Sequence, residues 1–195
     1  MVRPSRYDSG QFLDAAARLA ATGGPPAVTM AAVAREIGAP SGSVYHRFPD
    51  RAALLSELWL RALERFHAAY LPALDDPADP RAGAVAASRE MVRFCRDQPL
   101  DAVVLGHGAA DFGKDTWPPE AVERLDRANA KVMGAVKTLA RRLGAQDMIS
   151  RERVQLAVID LPYALVQRYL RDGDPLPPHA IALAADCTDA VLRDL

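Results

Sequence analysis

The sequence predicts an all-α fold, and three observations carry that prediction. Apolar residues recur at i, i+3, i+4 and i+7 in one segment after another. Proline and glycine fall mostly between those segments. No stretch alternates apolar and polar residues as a half-buried strand does. The composition agrees: the chain has 195 residues, 50% of them hydrophobic and 25% charged, enough for a real core.

The elements follow in order. A first helix is predicted from about Ser9 to Ala21, with Phe12, Ala15, Ala16 and Leu19 at helical spacing and Asp8 or Ser9 as N-cap. Gly23-Gly24-Pro25-Pro26 ends it. Thr29 caps a second helix whose buried stripe is Met30, Val33, Ala34 and Ile37. Gly38 suits the left-handed position that closes a helix. Pro40 is tolerated in a first turn, so it can open a short third helix with Val44 and Phe48 facing inward. Pro49 stops that helix and Asp50 caps the next. Leu54, Leu55, Leu58, Trp59, Ala62, Leu63 and Phe66 make the stripe of this fourth helix, which reaches about Tyr70.

The acidic stretch LPALDDPADP at 71–80 reads as a turn or linker, with a domain boundary near it. Five further helices are predicted at 81–97, 99–110, 118–144, 151–171 and 178–194, about nine in all. Val85, Ser88, Val92 and Cys95 form one stripe. Val122, Leu125, Asn129, Val132, Met133, Val136 and Leu143 form another. Ser150 is expected to cap the eighth helix, and Gly173 with Pro175 to end it. Pro162 lies inside that helix and should kink it or remove a hydrogen bond.

Charge and motifs narrow the function. The net charge is −1, so the chain as a whole is no polycation. Residues 1–71, however, hold eight arginines against six acids, the sign expected of a binding head on a neutral body. Cys95 and Cys187 form no Cys-x-x-Cys pair and read as buried free thiols. The N-terminus lacks an apolar signal region, and no segment approaches the roughly 18 apolar residues of a membrane span. The expectation is a soluble, cytoplasmic protein. No Gly-x-Ser-x-Gly, P-loop or His-Glu-x-x-His motif is present, and GAPSGS has the wrong spacing for a nucleophile elbow. An enzyme is not expected, nor is a cofactor. His107 and Asp111 lie four apart with Asp115 beyond, but spacing fixes no third strong ligand. A ligand-lining or helix-capping histidine is expected there, and no metal.

The segment GAPSGSVYHRF (38–48) stands out. Two helices joined by a short glycine-bearing turn form a helix-turn-helix, whose second helix enters the DNA major groove. Gly42 lets the backbone approach a phosphate or base. Ser41 and Ser43 can donate and accept in that groove. Tyr45 and His46 offer hydrogen bonds and stacking, and Arg47 and Arg51 carry charge for phosphates. Thr29 and the amides that follow it can hold another phosphate.

The wider segment VTMAAVAREIGAPSGSVYHRFPDRAALLSELW (28–59) resembles the N-terminal domain of the TetR (tetracycline-repressor-like) family of bacterial regulators. The matched residues are Thr29, Val33-Ala34, Ile37-Gly38, Gly42-Ser43-Val44-Tyr45, Phe48, Asp50 and Leu54-Leu55. Family members often carry Val-Ser where Ala39-Pro40 stand, so the usual serine cap of the recognition helix is absent. Arg51 stands where lysine is common.

The resemblance implies a helix-turn-helix DNA-binding domain over 1–50, continuing into a connecting helix at 51–70, and a helical effector-binding and dimerisation domain over 71–195. It implies a homodimer through helices 151–171 and 178–194. Two recognition helices would then lie roughly 34–36 Å apart on a pseudopalindromic double-stranded operator. A small-molecule effector would enter the C-terminal bundle and lower DNA affinity by binding one arrangement better. Met91, Phe94, Leu105, His107, Trp117, Leu125, Met133 and Tyr163 are candidate pocket residues, any of which can equally be core. The alternative is a helix-turn-helix regulator with no small-molecule effector, controlled by a partner or acting as an activator.

Overall fold

The protein's structure, a computed structural model, describes residues 7–75 and 78–195. Residues 1–6 of the N-terminal stretch, and residues 76 and 77 of the expected linker, lie outside the described residues. The helices are α1 (Ser9–Ala27), α2 (Met30–Glu36), α3 (Ser41–Tyr45), α4 (Arg51–Leu74), α5 (Pro80–Asp97), α6 (Pro99–Asp111), α7 (Pro119–Arg142), α8 (Met148–Gln155), α9 (Leu161–Asp172) and α10 (Ala180–Val191). A 3₁₀ turn at Lys114–Thr116 precedes α7, and a π-helical turn at Leu156–Asp160 joins α8 to α9. Taken as one rod, α8, the π turn and α9 leave nine helices among the described residues, with no strand.

The chain divides into two compact units, Met1–Leu63 with Val103–Leu125, and Glu64–Ala102 with Asp126–Leu195. The division falls inside α4, α6 and α7.

In the first unit, α2 packs against both α1 and α3. Phe12, Ala15, Ala16, Val28, Val33, Val44, Leu54 and Leu58 are fully buried. The helix ends follow local chemistry. Asp8, and not Ser9, caps α1 in a capping box with Gln11. The helix breaks at Gly24, whose φ of 67° is left-handed, and only a short turn over Pro25–Ala27 follows. Thr29 caps α2, accepting the Ala32 amide at 3.1 Å. Asp50 caps α4 through the Ala53 amide at 2.8 Å. That helix runs a turn beyond Tyr70, through Pro72.

The second unit is built on α5, α9 and α10, with α5 packed against both others and against the π turn. One core cluster joins Tyr70, Leu74, Ala84, Ala87, Met91, Leu139, Val154, Val158 and Leu192. Asn129, expected in the buried stripe of α7, is exposed; the buried face there runs through Val136, Leu139 and Ala140. The cap of α8 is Asp147, three residues before the expected Ser150. Ser150 instead bonds back to Asp147, by its amide at 2.9 Å and its hydroxyl at 3.0 Å. Those two bonds hold the Asp147 carboxyl below its ordinary pKa.

Pro162 has the predicted effect on hydrogen bonding, by a route that involves the π turn. The Leu161 amide donates to Leu156 O, one residue further back than in an α-helix. Ala157 O thereby loses its α-helical donor, and its π-helical donor would be the amide that Pro162 lacks. Val158 O, which Pro162 would serve in an α-helix, is orphaned for the same reason. Both carbonyls are rescued from outside. Thr188 Oγ1 donates to Ala157 O at 2.9 Å, and Tyr70 Oη donates to Val158 O at 2.7 Å. Tyr70 is fully buried, stacked on Phe66 at 5.0 Å, and its pKa is raised by desolvation and by the nearby Asp160 charge.

Tyr70→Phe keeps the ring and leaves Val158 O buried without a donor. The expected cost is about 1–3 kcal/mol of stability, read as a lower midpoint in urea unfolding with an unchanged m-value. An unchanged midpoint would show that another donor replaces the hydroxyl.

Candidate functional site

The candidate site is the α2–turn–α3 unit, and its geometry begins at the end of α2. Ile37 is the C-cap and Gly38 follows with φ at 65°. The Gly38 amide returns to Arg35 O at 3.2 Å and the Ala39 amide to Ala34 O at 2.9 Å. These two bonds are the Schellman pattern that closes a helix on a left-handed glycine. A Cβ at Gly38 would meet nothing within 4 Å, so the constraint is the backbone angle and not space. Tyr7 Oη also donates to Gly38 O at 3.1 Å.

Pro40 is the N-cap of α3, one position before the first turn in which it was expected. It supplies no side-chain cap, as the missing serine implied. Its φ of −57° and ψ of 138° set the extended entry from which Ser41 starts the helix. The α3 helix is only five residues long. It is anchored from inside: Val44 is fully buried, Phe48 is 4% exposed, and the Phe48 amide bonds to Val44 O at 2.9 Å.

With Val44 and Phe48 inward, the other side chains have one place to go. Ser41, Gly42, Tyr45, His46 and Arg47 are exposed and Ser43 is half-buried. Tyr45 is 56% exposed, among the most exposed large apolar side chains described. A buried-anchor helix that leaves an aromatic ring, an imidazole, a guanidinium and two hydroxyls in solvent offers donors, acceptors and charge to one surface. Thr29 stands at the start of α2, where its oxygen is occupied as an acceptor and its hydroxyl proton is left to donate. Arg51 differs. Its Nε donates to Val28 O and its Nη2 to Pro25 O, both at 2.7 Å.

The candidate pocket residues are divided between the two units. Leu105, His107, Trp117 and Leu125 lie in the first unit, and Met91, Phe94, Met133 and Tyr163 in the second. Trp117 is buried, tilted against Trp59 at 5.9 Å, and donates to Phe112 O at 2.9 Å. The Trp59 indole N–H is buried with no hydrogen-bond partner among the described residues. His107 packs edge-on to Phe112, with Nδ1 3.8 Å from Asp111. In the second unit Met91 and Phe94 are buried, and Tyr163 is 39% exposed. Met133 lines an open groove of about 880 Å³ between α7 and α8, together with Val136, Ala140 and Met148. Burial raises the Cys95 thiol to about 12, so the thiol stays protonated at neutral pH. Among the described residues no three His, Cys, Asp or Glu side chains gather as a metal site would need.

The sequence reading missed the internal engagement of Arg51, because its acceptors lie 23 and 26 residues upstream. The lone turn signal there, Gly-Gly-Pro-Pro, marks a break without saying what would hold it.

A helix-turn-helix domain on an otherwise helical chain is the class this geometry defines. Residues 12–58 match the model for bacterial regulatory proteins of the tetR family. No curated protein sequence matches the chain. Solved structures resemble it over nearly its whole length. A TetR-family transcription regulator from Marinobacter aquaeolei VT8 is 20% identical, with a TM-score of 0.70 and 94% of each chain covered. FadR from Bacillus subtilis, solved with stearoyl-CoA, is 12% identical with a TM-score of 0.74, covering 96% of this chain and 100% of its own. KstR2 of Mycobacterium tuberculosis, a ketosteroid transcriptional regulator, is 19% identical with a TM-score of 0.67, covering 97% and 95%. The family match thus covers the N-terminal helix-turn-helix segment, and the chain as a whole shares the fold of these regulators.

Asp50→Ala removes the cap of the helix that follows the site. It should cost about 1 kcal/mol, measured as a lower thermal midpoint. Asp50→Ser should recover most of the loss, and failure of serine to do so would mean that the carboxylate acts elsewhere.

Proposed function

We propose that the chain is a homodimeric, ligand-responsive repressor that binds a pseudopalindromic operator through α3 and is released by a small molecule. The observation that carries DNA binding is the outward array on α3. Tyr45, His46, Arg47, Ser41 and Ser43 project around a backbone made open by Gly42, while Val44 and Phe48 hold the helix in place. The hydroxyls and imidazole suit base edges and Arg47 suits a phosphate. The Thr29 hydroxyl supplies a second phosphate contact at the start of α2.

Dimerisation is supported by where the apolar surface lies. Of seven exposed large hydrophobic side chains among the described residues, five fall between residues 148 and 183: Met148, Ile149, Leu156, Tyr163 and Leu183. Exposed apolar area concentrated in this way marks an interaction surface. It falls on α8, the π turn, α9 and α10, and Leu156, Tyr163 and Leu183 lie within the expected interface helices 151–171 and 178–194. Release by a small molecule is supported by the FadR relative solved with stearoyl-CoA and by the ketosteroid regulator KstR2. Whatever the effector, it must bind the two states with different affinity, or it moves no equilibrium.

Fluorescence anisotropy with DNA from the gene's own upstream region tests the reading. Specific binding over scrambled DNA is expected, weakening steeply with salt. Tyr45→Ala should lower affinity by roughly 5- to 150-fold, at unchanged helix content. A library of small molecules is then screened for loss of the complex. If a random-sequence selection returns no preferred site, the DNA-binding reading fails. If a site is found and no compound releases it, regulation by a partner takes the effector's place.

A further inference from the structure

Arg51 is expected from sequence to meet a phosphate, and the structure turns its guanidinium onto the protein's own backbone. Nε donates to Val28 O and Nη2 to Pro25 O, each at 2.7 Å. These carbonyls bracket the turn between α1 and α2. That turn is otherwise held by thin local bonding, the Val28 amide to Pro25 O and the Thr29 amide to Ala27 O, both at 3.1 Å. It begins at the left-handed Gly24 and contains two prolines, which contribute no N–H groups. A planar guanidinium can place two N–H donors on two carbonyls at once, whereas an ammonium is a single charge with no fixed fork.

The residue clamped is the neighbour of Thr29, the N-cap of α2, and α2 is the helix against which α3 packs. We infer that Arg51 is a positioning residue: it clamps the Pro25–Val28 turn and so fixes where α2, and with it the α3 surface, stands. The inference rests on the DNA-binding reading for its consequence, but the clamp itself is independent of DNA. Arg51 keeps an exposed edge, so a phosphate contact is the competing role that the test must separate.

Amide hydrogen exchange on the DNA-free protein is compared for wild type, Arg51→Lys and Arg51→Gln. A clamp predicts about tenfold faster exchange at Val28 and Thr29 in both variants, with Leu54, Leu58 and the second unit unchanged. A phosphate contact predicts no change without DNA. Exchange that rises evenly through the whole first unit overturns the local clamp. Operator affinity is then measured against salt. A positioning role predicts a similar loss, on the order of tenfold, for Lys and Gln, with the slope of log affinity against log salt unchanged. A phosphate role predicts that Lys binds like wild type and that Gln flattens the slope by about one; either result overturns the inference. Should no operator exist, the exchange measurement still decides the clamp.

Discussion

A backbone carbonyl buried without a donor is the constraint around which this structure is organised. In an all-helical chain almost every N–H is spent inside its own helix, so a buried carbonyl freed by a proline or a helix end is left to a side chain, a turn amide or water. That requirement explains many of the long-range polar contacts here. Tyr70 and Thr188 serve the two carbonyls orphaned at the π turn. Arg51 serves two at the α1–α2 turn, and Tyr7 serves Gly38. Arg81 pairs with Asp189 at 2.8 Å and also donates to its carbonyl, fastening the start of α5 to α10. Apolar packing brings the helices together without much direction. These bonds are directional, and each specifies one register of one helix against another.

The α3 surface uses the same economy at smaller scale. With five residues, α3 is too short to be stable by its own hydrogen bonds. Its position depends on Val44 and Phe48 beneath it and on the glycine closure of α2 before it. The polar side chains above are then free of structural duty. This division explains the composition of residues 38–48: the residues that build are Gly38, Pro40, Val44 and Phe48, and the others face outward.

The helix α4 carries a tether near each end, Arg51 within its first turn and Tyr70 one turn before its last residue. Both are hydrogen bonds to backbone carbonyls, those of Pro25 and Val28 for Arg51 and that of Val158 for Tyr70. Neither is an ion pair, so salt screens them little. A helix held this way has well-defined end positions in each compact unit.

By itself the sequence determined the helical class, the order of the helices and most of their ends. Those are local matters: apolar spacing, the caps Thr29 and Asp50, the glycine at 38, and prolines at 99 and 119 that suit helix starts. The α3 array was also legible, because two apolar anchors four residues apart force the remaining side chains outward. Tertiary structure decided what local chemistry leaves open. Asp147 rather than Ser150 caps α8, because either residue can cap and the packed position of the helix selects one. Pro162 announced a lost hydrogen bond but not which residues would replace it, since Tyr70 stands 88 residues from the carbonyl it serves. The fate of Arg51 was undecidable for the same reason. A guanidinium can donate to a phosphate or to a carbonyl, and only the folded turn brought two carbonyls within its reach.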